Sequence, residues 1–430
     1  ITDTEDKYLM QRKQLSRALG LLCFCSEHAN LVDVLIEYIK KKALPGQDSP
    51  IYAEDVLGLF GFASIEDFLP APSKLSLPER FIYRDCYPAL VDQLMRSRKP
   101  IMIHAAGGVG KSVFSSALQQ NPPDGSLVIV YDCFAMGEYR NRSQHRHRHR
   151  EFITQIINEL ALMNLCDYIL PDQLSKETPL FKVFLKTIET AVIKLHTEQS
   201  DANAKILLVI DAADNAELAA LDSNENCFAH ELIRETMPDN FHLVMTCRTE
   251  RRLLVDRKNE ALHIPLPPFS EDESREHLAK AYCDVSILQG KEFHKLTSGN
   301  PRIQEQIIAS RHENVSSLLS SLGPDGKSVE GQLETIYRNF ANEHPDDLAK
   351  QIEMCCYGIV SLPPNVPISV LERATSVSRD LISSLVAQFG GSIWCDETHL
   401  RFRDETTETW FRERFPTNSQ TADNFIEKLR

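Results

Sequence analysis

The sequence predicts an α/β fold built on a parallel sheet, followed by two smaller, mainly helical domains. A short apolar run, 101–104, leads through a glycine-rich turn into the apolar-periodic segment 113–118. A second apolar run, 206–210, ends on Asp211. Strands that are buried on both faces form continuous apolar runs, and a parallel sheet is the arrangement that buries both faces. Helical periodicity between and after these runs supplies the covering layers, so we expect a three-layer α/β domain.

The stretch 101–118, IMIHAAGGVGKSVFSSAL, has the strand, glycine-rich turn and helix order that a phosphate-binding loop requires. Glycines let backbone N–H groups point at phosphate oxygens, and the helix start adds its own unpaired N–H groups. Lys111 is expected to reach the β- and γ-phosphates and Ser112 to ligate Mg²⁺. The candidate loop residues are Gly107, Gly108, Val109, Gly110, Lys111, Ser112 and Val113. Ala105 replaces the first glycine of the pattern, which is tolerable at negative φ. The alternative is a chance glycine-rich turn before a helix.

Charged side chains stand where later predicted strands end. Ligands bind at the carboxyl edge of open α/β sheets, so these ends are candidate site positions. Asp211 would hold Mg²⁺ through water, and Asp214 would orient an attacking water, with Glu217 as the runner-up. Arg248 ends the apolar strand 241–248 and would sense the γ-phosphate. A surface arginine is the alternative interpretation of Arg248.

The composition bounds the class of protein. The chain has 430 residues, 42% hydrophobic and 25% charged, which is ordinary for a globular protein of several domains. A formal net charge of −14 argues against general nucleic-acid binding. Eleven cysteines lack zinc-type spacing and, with the phosphate loop, favour a reducing cytoplasm. No apolar run is long enough to cross a membrane. The chain begins at Ile1 rather than methionine, which suggests a fragment.

Composition shifts and proline-rich breaks predict the domain boundaries. Residues 1–78 are interpreted as a small helical adaptor or as the tail of a larger effector domain. The predicted segments are 1–78, a helical N-terminal segment; 79–270, a P-loop NTPase domain; 271–343, a helical domain; 344–415, a winged-helix domain; and 416–430, a linker or the start of a truncated sensor. Ser270 and Glu273 predict a capping box at the start of the helical domain. The predicted recognition helix of the winged-helix domain, 378–389, carries few cations, so we expect it to pack within the molecule rather than bind DNA.

Three further motifs leave alternatives open. The segment 81–85, FIYRD, could wall an adenine and bring Arg84 to the phosphates, or it could be a packing linker. The basic run 139–150 could be a solvated loop, could act near the nucleotide or at a subunit interface, or could bind nucleic acid. The turn that ends at Pro301 could place a rigid ring against adenine or simply mark a helix start.

In this order the motifs resemble the STAND class of signalling ATPases, which includes NACHT and NB-ARC proteins. The resemblance covers roughly residues 79–415. Within the class the chain looks most like the antiviral STAND (Avs) proteins of prokaryotic defence, on the basic run and on the closing sequence FRDETTETWFRERF. The resemblance implies nucleotide-contacting roles for Arg84, Lys111, Ser112, Asp211, Asp214, Arg248 and Pro301. Arg403 stands where related proteins carry a histidine that clamps the ADP β-phosphate, and a guanidinium could serve the same purpose.

The resemblance also implies a function. STAND proteins are switches that bind ATP or ADP with Mg²⁺, rest as closed monomers, and open into homo-oligomers that activate a fused effector. For Avs proteins it implies a viral trigger such as terminase or portal, bound by a sensor that is not in this chain; direct nucleic-acid or membrane binding is not expected. Slow ATP hydrolysis is the expected enzyme activity. The alternatives are a DNA-associated AAA+-like ATPase with a winged helix and a nucleotide-dependent scaffold without hydrolysis.

Overall fold

The computed structural model describes residues 31–42, 50–59, 75–135, 146–167, 180–309, 312–322, 329–362, 366–389, 392–395, 398–402, 405–416 and 425. The chain divides into two compact units. The first unit comprises residues 1–73 and 149–198, and the second comprises residues 74–148 and 199–430. No helix among these described ranges is both long and apolar enough to cross a membrane.

Both units contain helices. In chain order they are α1 (Leu31–Lys42), α2 (Ala53–Leu59), α3 (Tyr87–Arg96), α4 (Lys111–Gln120), α5 (His149–Leu162), α6 (Leu180–Gln199), α7 (Ala213–Ser223), α8 (Phe228–Leu232), α9 (Arg252–Val255), α10 (Glu271–Ala279), α11 (Ile287–Thr297), α12 (Pro301–Ala309), α13 (Val315–Ser321), α14 (Val329–Asn342), α15 (Asp346–Ser361), α16 (Ile368–Thr375), α17 (Arg379–Gln388) and α18 (Glu405–Arg414). A short 3₁₀ turn, Thr249–Arg251, precedes α9. The strands are β1 (Ile101–Ala105), β2 (Ser126–Asp132), β3 (Lys205–Asp211), β4 (Phe241–Arg248), β5 (Leu262–Pro265), β6 (Val366–Pro367), β7 (Ile393–Cys395) and β8 (His399–Phe402).

The first unit contains the two amphipathic helices α5 and α6 together with α1 and α2. Phe152 of α5 and Phe184 of α6 are fully buried, and their ring centroids lie 5.3 Å apart. Apolar residues at helical spacing form this contact, as the periodicity of both segments predicts.

The second unit is built on a five-stranded parallel sheet with the order β2-β3-β4-β1-β5. The register pairs Asp132 with Asp211 and Ala105 with Arg248. Four strand ends therefore meet at one edge of the sheet. The predicted α/β class is confirmed, and the strand ends converge because parallel strands share the direction of their carboxyl termini.

One face of this sheet packs against the helices α3 and α4. Alternate strand residues provide this face, since successive side chains of a strand point to opposite sides. The shared core comprises Tyr87, Leu90, Leu94, Phe114, Ala117, Leu118, Ile101, Ile103, Val128, Val130, Leu207, Val209 and Val244. On the other face, the Phe228 ring of α8 lies 5.5 Å from the buried ring of Tyr131. Burial on both faces explains why these strands are continuous apolar runs.

The rest of the second unit is mainly helical and shares one core from α10 to α18. Its first helix begins with the predicted capping box, in which Ser270 accepts from the Glu273 N–H and Glu273 binds the Ser270 N–H. β6 precedes α16 and β7 and β8 follow α17, and these three strands form a small antiparallel sheet with the order β6-β8-β7. The winged-helix assignment and the domain boundaries stay predictions.

Candidate nucleotide-binding site

The glycine-rich loop connects β1 to α4 at the carboxyl edge of the sheet. Ala105 is the last residue of β1 and keeps strand geometry, which is compatible with a methyl group at this position of the motif. Gly108 has φ +78° and Gly110 has φ +104°, a left-handed region that residues with a Cβ rarely adopt. Gly110 directly precedes the first residue of α4. The chain therefore wraps closely around the start of a helix, as phosphate binding requires.

Lys111 lies folded back across this loop. Its Nζ donates to the carbonyl oxygens of Ala105, at 3.0 Å, and Ala106, at 3.1 Å. Burial lowers the pKa of Lys111, and the nearby carboxylates of Asp214 and Asp211 oppose that shift. The ammonium group is thus held at the loop by weak neutral acceptors that a phosphate could replace.

Asp211 accepts hydrogen bonds from three hydroxyl groups. The Ser112 Oγ lies 2.6 Å from Oδ2, while Ser115 Oγ and Thr246 Oγ1 lie 2.8 and 2.9 Å from Oδ1. Thr246 also accepts from the N–H of Ala212, at 2.8 Å. The Ser112 hydroxyl and the Asp211 carboxylate, the two predicted Mg²⁺-holding groups, are therefore in contact, and the other two hydroxyls fix the carboxylate.

Asp214 is buried in the first turn of α7, 1% exposed. Its Oδ2 lies 3.4 Å from a guanidinium nitrogen of Arg251. Burial, reinforced by the nearby carboxylate of Glu405, raises the pKa of Asp214 to about 6. A carboxyl group with a pKa near neutrality is suited to exchange a proton with water at this edge.

Arg248, the last residue of β4, lies against both the loop and the start of α18. Its Nε is 3.2 Å from Glu405 Oε2, and an Nη is 3.4 Å from Thr406 Oγ1. A Cβ on Gly107 would lie 2.8 Å from that same threonine oxygen and 3.7 Å from the arginine guanidinium carbon. The absence of a side chain at Gly107 lets the first turn of α18 approach the loop.

The turn before α12 contacts the loop from another direction. Asn300 Nδ2 donates to the carbonyl of Gly107, at 3.0 Å, and the Arg302 N–H donates to that of Gly108, at 3.2 Å. Pro301, between them, is the first residue of α12. The structure thus brings the predicted proline to the rim of the loop, with its two neighbours making the hydrogen bonds.

Arg84 is buried against the segment between β5 and α10, and its contact with phosphates stays a prediction. It is 2% exposed, and one of its terminal nitrogens donates to the carbonyls of Pro267 and Pro268, at 2.6 and 2.7 Å. The guanidinium also pairs with Glu273, at 3.5 Å, and lies over the Phe269 ring. These contacts fasten the chain ahead of the loop to the segment between β5 and α10. Its Nε faces Glu273 without a hydrogen bond, and its Nη1 is buried without a hydrogen-bond partner.

The remaining candidates have mixed placements. Val109 is buried in the core beneath the loop, and Val113 lies half-buried in α4. Arg403 lies outside the described residues. Glu217, the runner-up for orienting water, accepts from the His230 N–H at 3.0 Å and pairs with Arg257 at 3.3 Å. The structure therefore gives Glu217 partners of its own, and Asp214 keeps the contact with Arg251.

The described end of the basic run makes specific contacts beside the sheet. Arg146 Nε donates to the carbonyl of Asp132, at 2.6 Å, and its guanidinium stacks over the Tyr131 ring, 4.1 Å from the centroid. Arg148 forms a two-point contact with Glu225, at 2.6 and 2.7 Å. Residues 146–148 thus belong to the packed domain rather than to a solvated loop, while 139–145 lie outside the described residues.

The arrangement fits a nucleotide with Mg²⁺. The bare backbone at Gly108 and Gly110 offers space and N–H groups for phosphate oxygens. Mg²⁺ usually keeps several waters and is bound by few protein groups together with phosphate oxygens; here Ser112 would hold it directly and Asp211 through water. Across the described ranges, no group of three or more His, Cys, Asp and Glu side chains is arranged to hold a metal ion.

Comparison with known families matches residues 88–248 to the N-terminal region of nephrocystin 3. The matched segment runs from α3 through the loop and Asp211 to Arg248. Together with the site geometry, it supports a P-loop NTPase fold for this segment. No curated protein matches the chain in sequence.

Solved structures similar to this chain share little sequence with it. A STAND protein with a tetratricopeptide repeat sensor, PH0952 from Pyrococcus horikoshii, is 14% identical with a TM-score of 0.45, over 83% of this chain and 47% of that one. A Walker-type ATPase of Pyrococcus abyssi is 15% identical with a TM-score of 0.41, over 80% and 99%. Thermotoga maritima RuvB is 11% identical with a TM-score of 0.29, over 79% and 97%. The chain spans about half the length of the P. horikoshii protein.

Sequence reasoning missed several residues of this site. Ser115 could have been found, because it lies three positions after Ser112 on the same face of α4. Thr246 could also have been found, because it lies two residues before Arg248 and on the same face of the strand. Arg251, Glu405 and Thr406 carried no comparable signal, because their roles depend on how α18 docks against the loop.

Proposed function

We propose that this chain is the nucleotide-binding switch of a signalling ATPase, binding ATP or ADP with Mg²⁺ and hydrolysing ATP slowly. One observation carries the proposal: the Ser112 hydroxyl and the Asp211 carboxylate meet, at 2.6 Å, where the glycine loop enters α4. That pair would hold Mg²⁺, Ser112 directly and Asp211 through water, at the position where a P-loop presents the β- and γ-phosphates.

The other side chains have roles that follow from their positions. Lys111 would exchange the carbonyls of Ala105 and Ala106 for phosphate oxygens, which are stronger acceptors for an ammonium group. Asp214 would orient the attacking water and take up its proton, since its pKa of about 6 lies close to neutral pH. Arg248 would report the presence of the γ-phosphate.

We extend this proposal to antiviral defence, on the resemblance of the basic run and of the sequence around α18 to Avs proteins. In that role the core would open when a separate sensor binds a viral protein such as terminase or portal, and would assemble into a homo-oligomer. Assembly would activate an effector distinct from this core. Arg403 would clamp the diphosphate of the closed state.

The proposal is tested by identifying the nucleotide that leaves the purified protein on denaturation, using ion-exchange chromatography. We expect ADP or ATP near one per chain in the wild type and none in Lys111→Ala. Isothermal titration should show binding by that variant weakened about 100-fold or more, because charge-assisted contacts to phosphates are lost. The exposed Lys99→Ala is the matched control and should bind as the wild type. Native-like affinity in Lys111→Ala would refute the nucleotide site.

The signalling part is tested separately by mass photometry with a non-hydrolysable ATP analogue. We expect larger assemblies of this chain with the analogue than with ADP. Monomers under both conditions would reject the oligomeric switch and leave nucleotide binding standing.

A further inference from the structure

Glu405, the first residue of α18, forms ion pairs with two arginines of the candidate site. Its Oε2 lies 3.2 Å from Arg248 Nε, and its Oε1 pairs with an Nη of Arg251. The exposed fractions of the three side chains are 15%, 10% and 20%. Pairs this enclosed are weakly screened by water and salt, so they compete strongly with other ligands of the same arginines.

The first turn of α18 places this carboxylate at the loop itself. Thr406, next to Glu405, lies 3.4 Å from an Nη of Arg248. Its oxygen would be 2.8 Å from a Cβ on Gly107, and the guanidinium of Arg248 would be within 4 Å of that Cβ. The acidic first turn therefore occupies the side of the glycine loop on which Arg248 stands.

Carboxylates surround the cations of the loop in this arrangement. Three described cations, Lys111, Arg248 and Arg251, face three enclosed carboxylates, while a fourth and exposed carboxylate, Glu250, lies 3.8 Å from Arg248. Two of the carboxylates, Asp211 and Asp214, lie on the sheet edge and α7 and belong to the nucleotide machinery. The third carboxylate, that of Glu405, belongs to a residue 157 positions after Arg248 in the chain. It is the one carboxylate of this set that moves away if α18 moves.

A γ-phosphate brings negative charge and strong acceptor oxygens to the same guanidinium groups. Arg248 cannot hold the Glu405 carboxylate and a phosphate in the same geometry, and two anions side by side repel each other. A diphosphate leaves that position open, so it makes no such conflict with Glu405.

We propose that Glu405 is a specificity-determining residue that takes the place of the γ-phosphate on Arg248 and Arg251, so that the closed protein selects nucleoside diphosphate over triphosphate. The inference rests on the proposed nucleotide-binding function and specifies it. Triphosphate binding then requires the first turn of α18 to leave the loop. By linkage, displacement of α18 raises the affinity for triphosphate, and triphosphate binding favours the displaced α18 by the same factor.

The test compares Glu405→Gln with the wild type, using calorimetric titration of the full chain with ADP and with a non-hydrolysable ATP analogue, both with Mg²⁺. The amide keeps the size of the side chain and removes its charge. We expect the ratio of ATP-analogue to ADP affinity to rise about tenfold, mainly through tighter binding of the analogue. Glu250→Gln is the matched control, because Glu250 lies 3.8 Å from the same arginine but is exposed. Its ratio should equal that of the wild type.

A second measurement uses the wild type alone, so it does not depend on the folding of a variant. Amide hydrogen exchange of residues 405–414 should be faster with the ATP analogue than with ADP. An unchanged affinity ratio in a folded Glu405→Gln, or equal exchange with both nucleotides, would overturn the role of Glu405 while Lys111-dependent binding persists. If the wild type binds neither nucleotide, the proposed function fails together with this inference.

Discussion

At the scale of single residues, Thr246 connects two parts of the candidate site. Its hydroxyl donates to Asp211 Oδ1 and accepts from the Ala212 N–H. Ala212 has φ +54°, a left-handed conformation that a residue with a Cβ adopts only when its surroundings hold it there. Thr246 is itself fully buried. One hydroxyl thus fixes both the carboxylate that would face Mg²⁺ and the turn that leads to Asp214.

We predict that Thr246→Val destabilises the protein by about 1–3 kcal/mol, because it leaves the Ala212 N–H unpaired and removes a donor from Asp211. Urea unfolding measures the change. ATP hydrolysis by the folded variant should also fall, since the carboxylate loses one of its three hydroxyl contacts.

The matched control is Thr246→Ser, which keeps the hydroxyl and deletes one methyl group, at a cost of about 1 kcal/mol. If the valine variant proved no less stable than the serine variant, the hydroxyl would not be holding this turn.

At the scale of elements, the helices α15 and α16 pack closely at Gly358. A Cβ on this glycine would lie 2.4 Å from Thr375 Cγ2 and 2.7 Å from Leu371 Cδ1. Glycine is a poor helix former, and alanine in its place would gain about 1 kcal/mol from propensity alone. Gly358 lies within α15 because α16 packs so closely there that a larger side chain would clash with it.

We predict that Gly358→Ala lowers the free energy of unfolding by about 1–3 kcal/mol, because the overpacking outweighs the gain in helix propensity. Adding Thr375→Ser removes the methyl group that the new Cβ would strike and keeps the hydroxyl that binds the Leu371 carbonyl. The double variant should therefore recover part of the loss. A more stable single variant would show that the two helices separate without cost.

At the scale of the whole molecule, stability depends on the protons that the folded chain binds. Burial, reinforced by the neighbouring Asp211, raises the pKa of Asp132 to about 6, against about 3.9 for an aspartate in an unfolded chain. The folded state thus binds more protons than the unfolded state between these values. The contribution of Asp132 is fully present below pH 4 and is lost as the pH rises through 6.

We predict that Asp132→Asn flattens this dependence. Between pH 5 and pH 7 the free energy of unfolding should fall by about 1 kcal/mol less in the variant than in the wild type, because the amide does not titrate. Its oxygen can still accept from the Phe134 N–H. Urea unfolding at the two pH values measures the difference, with the exposed Asp124→Asn as control. Equal slopes in Asp132→Asn and the wild type would place the pH dependence elsewhere.

The sequence by itself determined the parts of this protein that follow from local patterns. Continuous apolar runs mark strands that are buried on both faces, and the glycines at 108 and 110 mark positive φ angles. Because parallel strands end at one edge of the sheet, the same patterns predict that Lys111, Asp211 and Arg248 lie close together.

Only the tertiary structure decided how the distant elements meet this edge. Arg84 contacts the carbonyls of Pro267 and Pro268, 183 and 184 residues later in the chain. Glu405 reaches Arg248 across 157 residues. Neither contact can be predicted from periodicity or spacing. Docking depends on the summed packing of whole elements, whereas strand and turn preferences are properties of a few neighbouring residues.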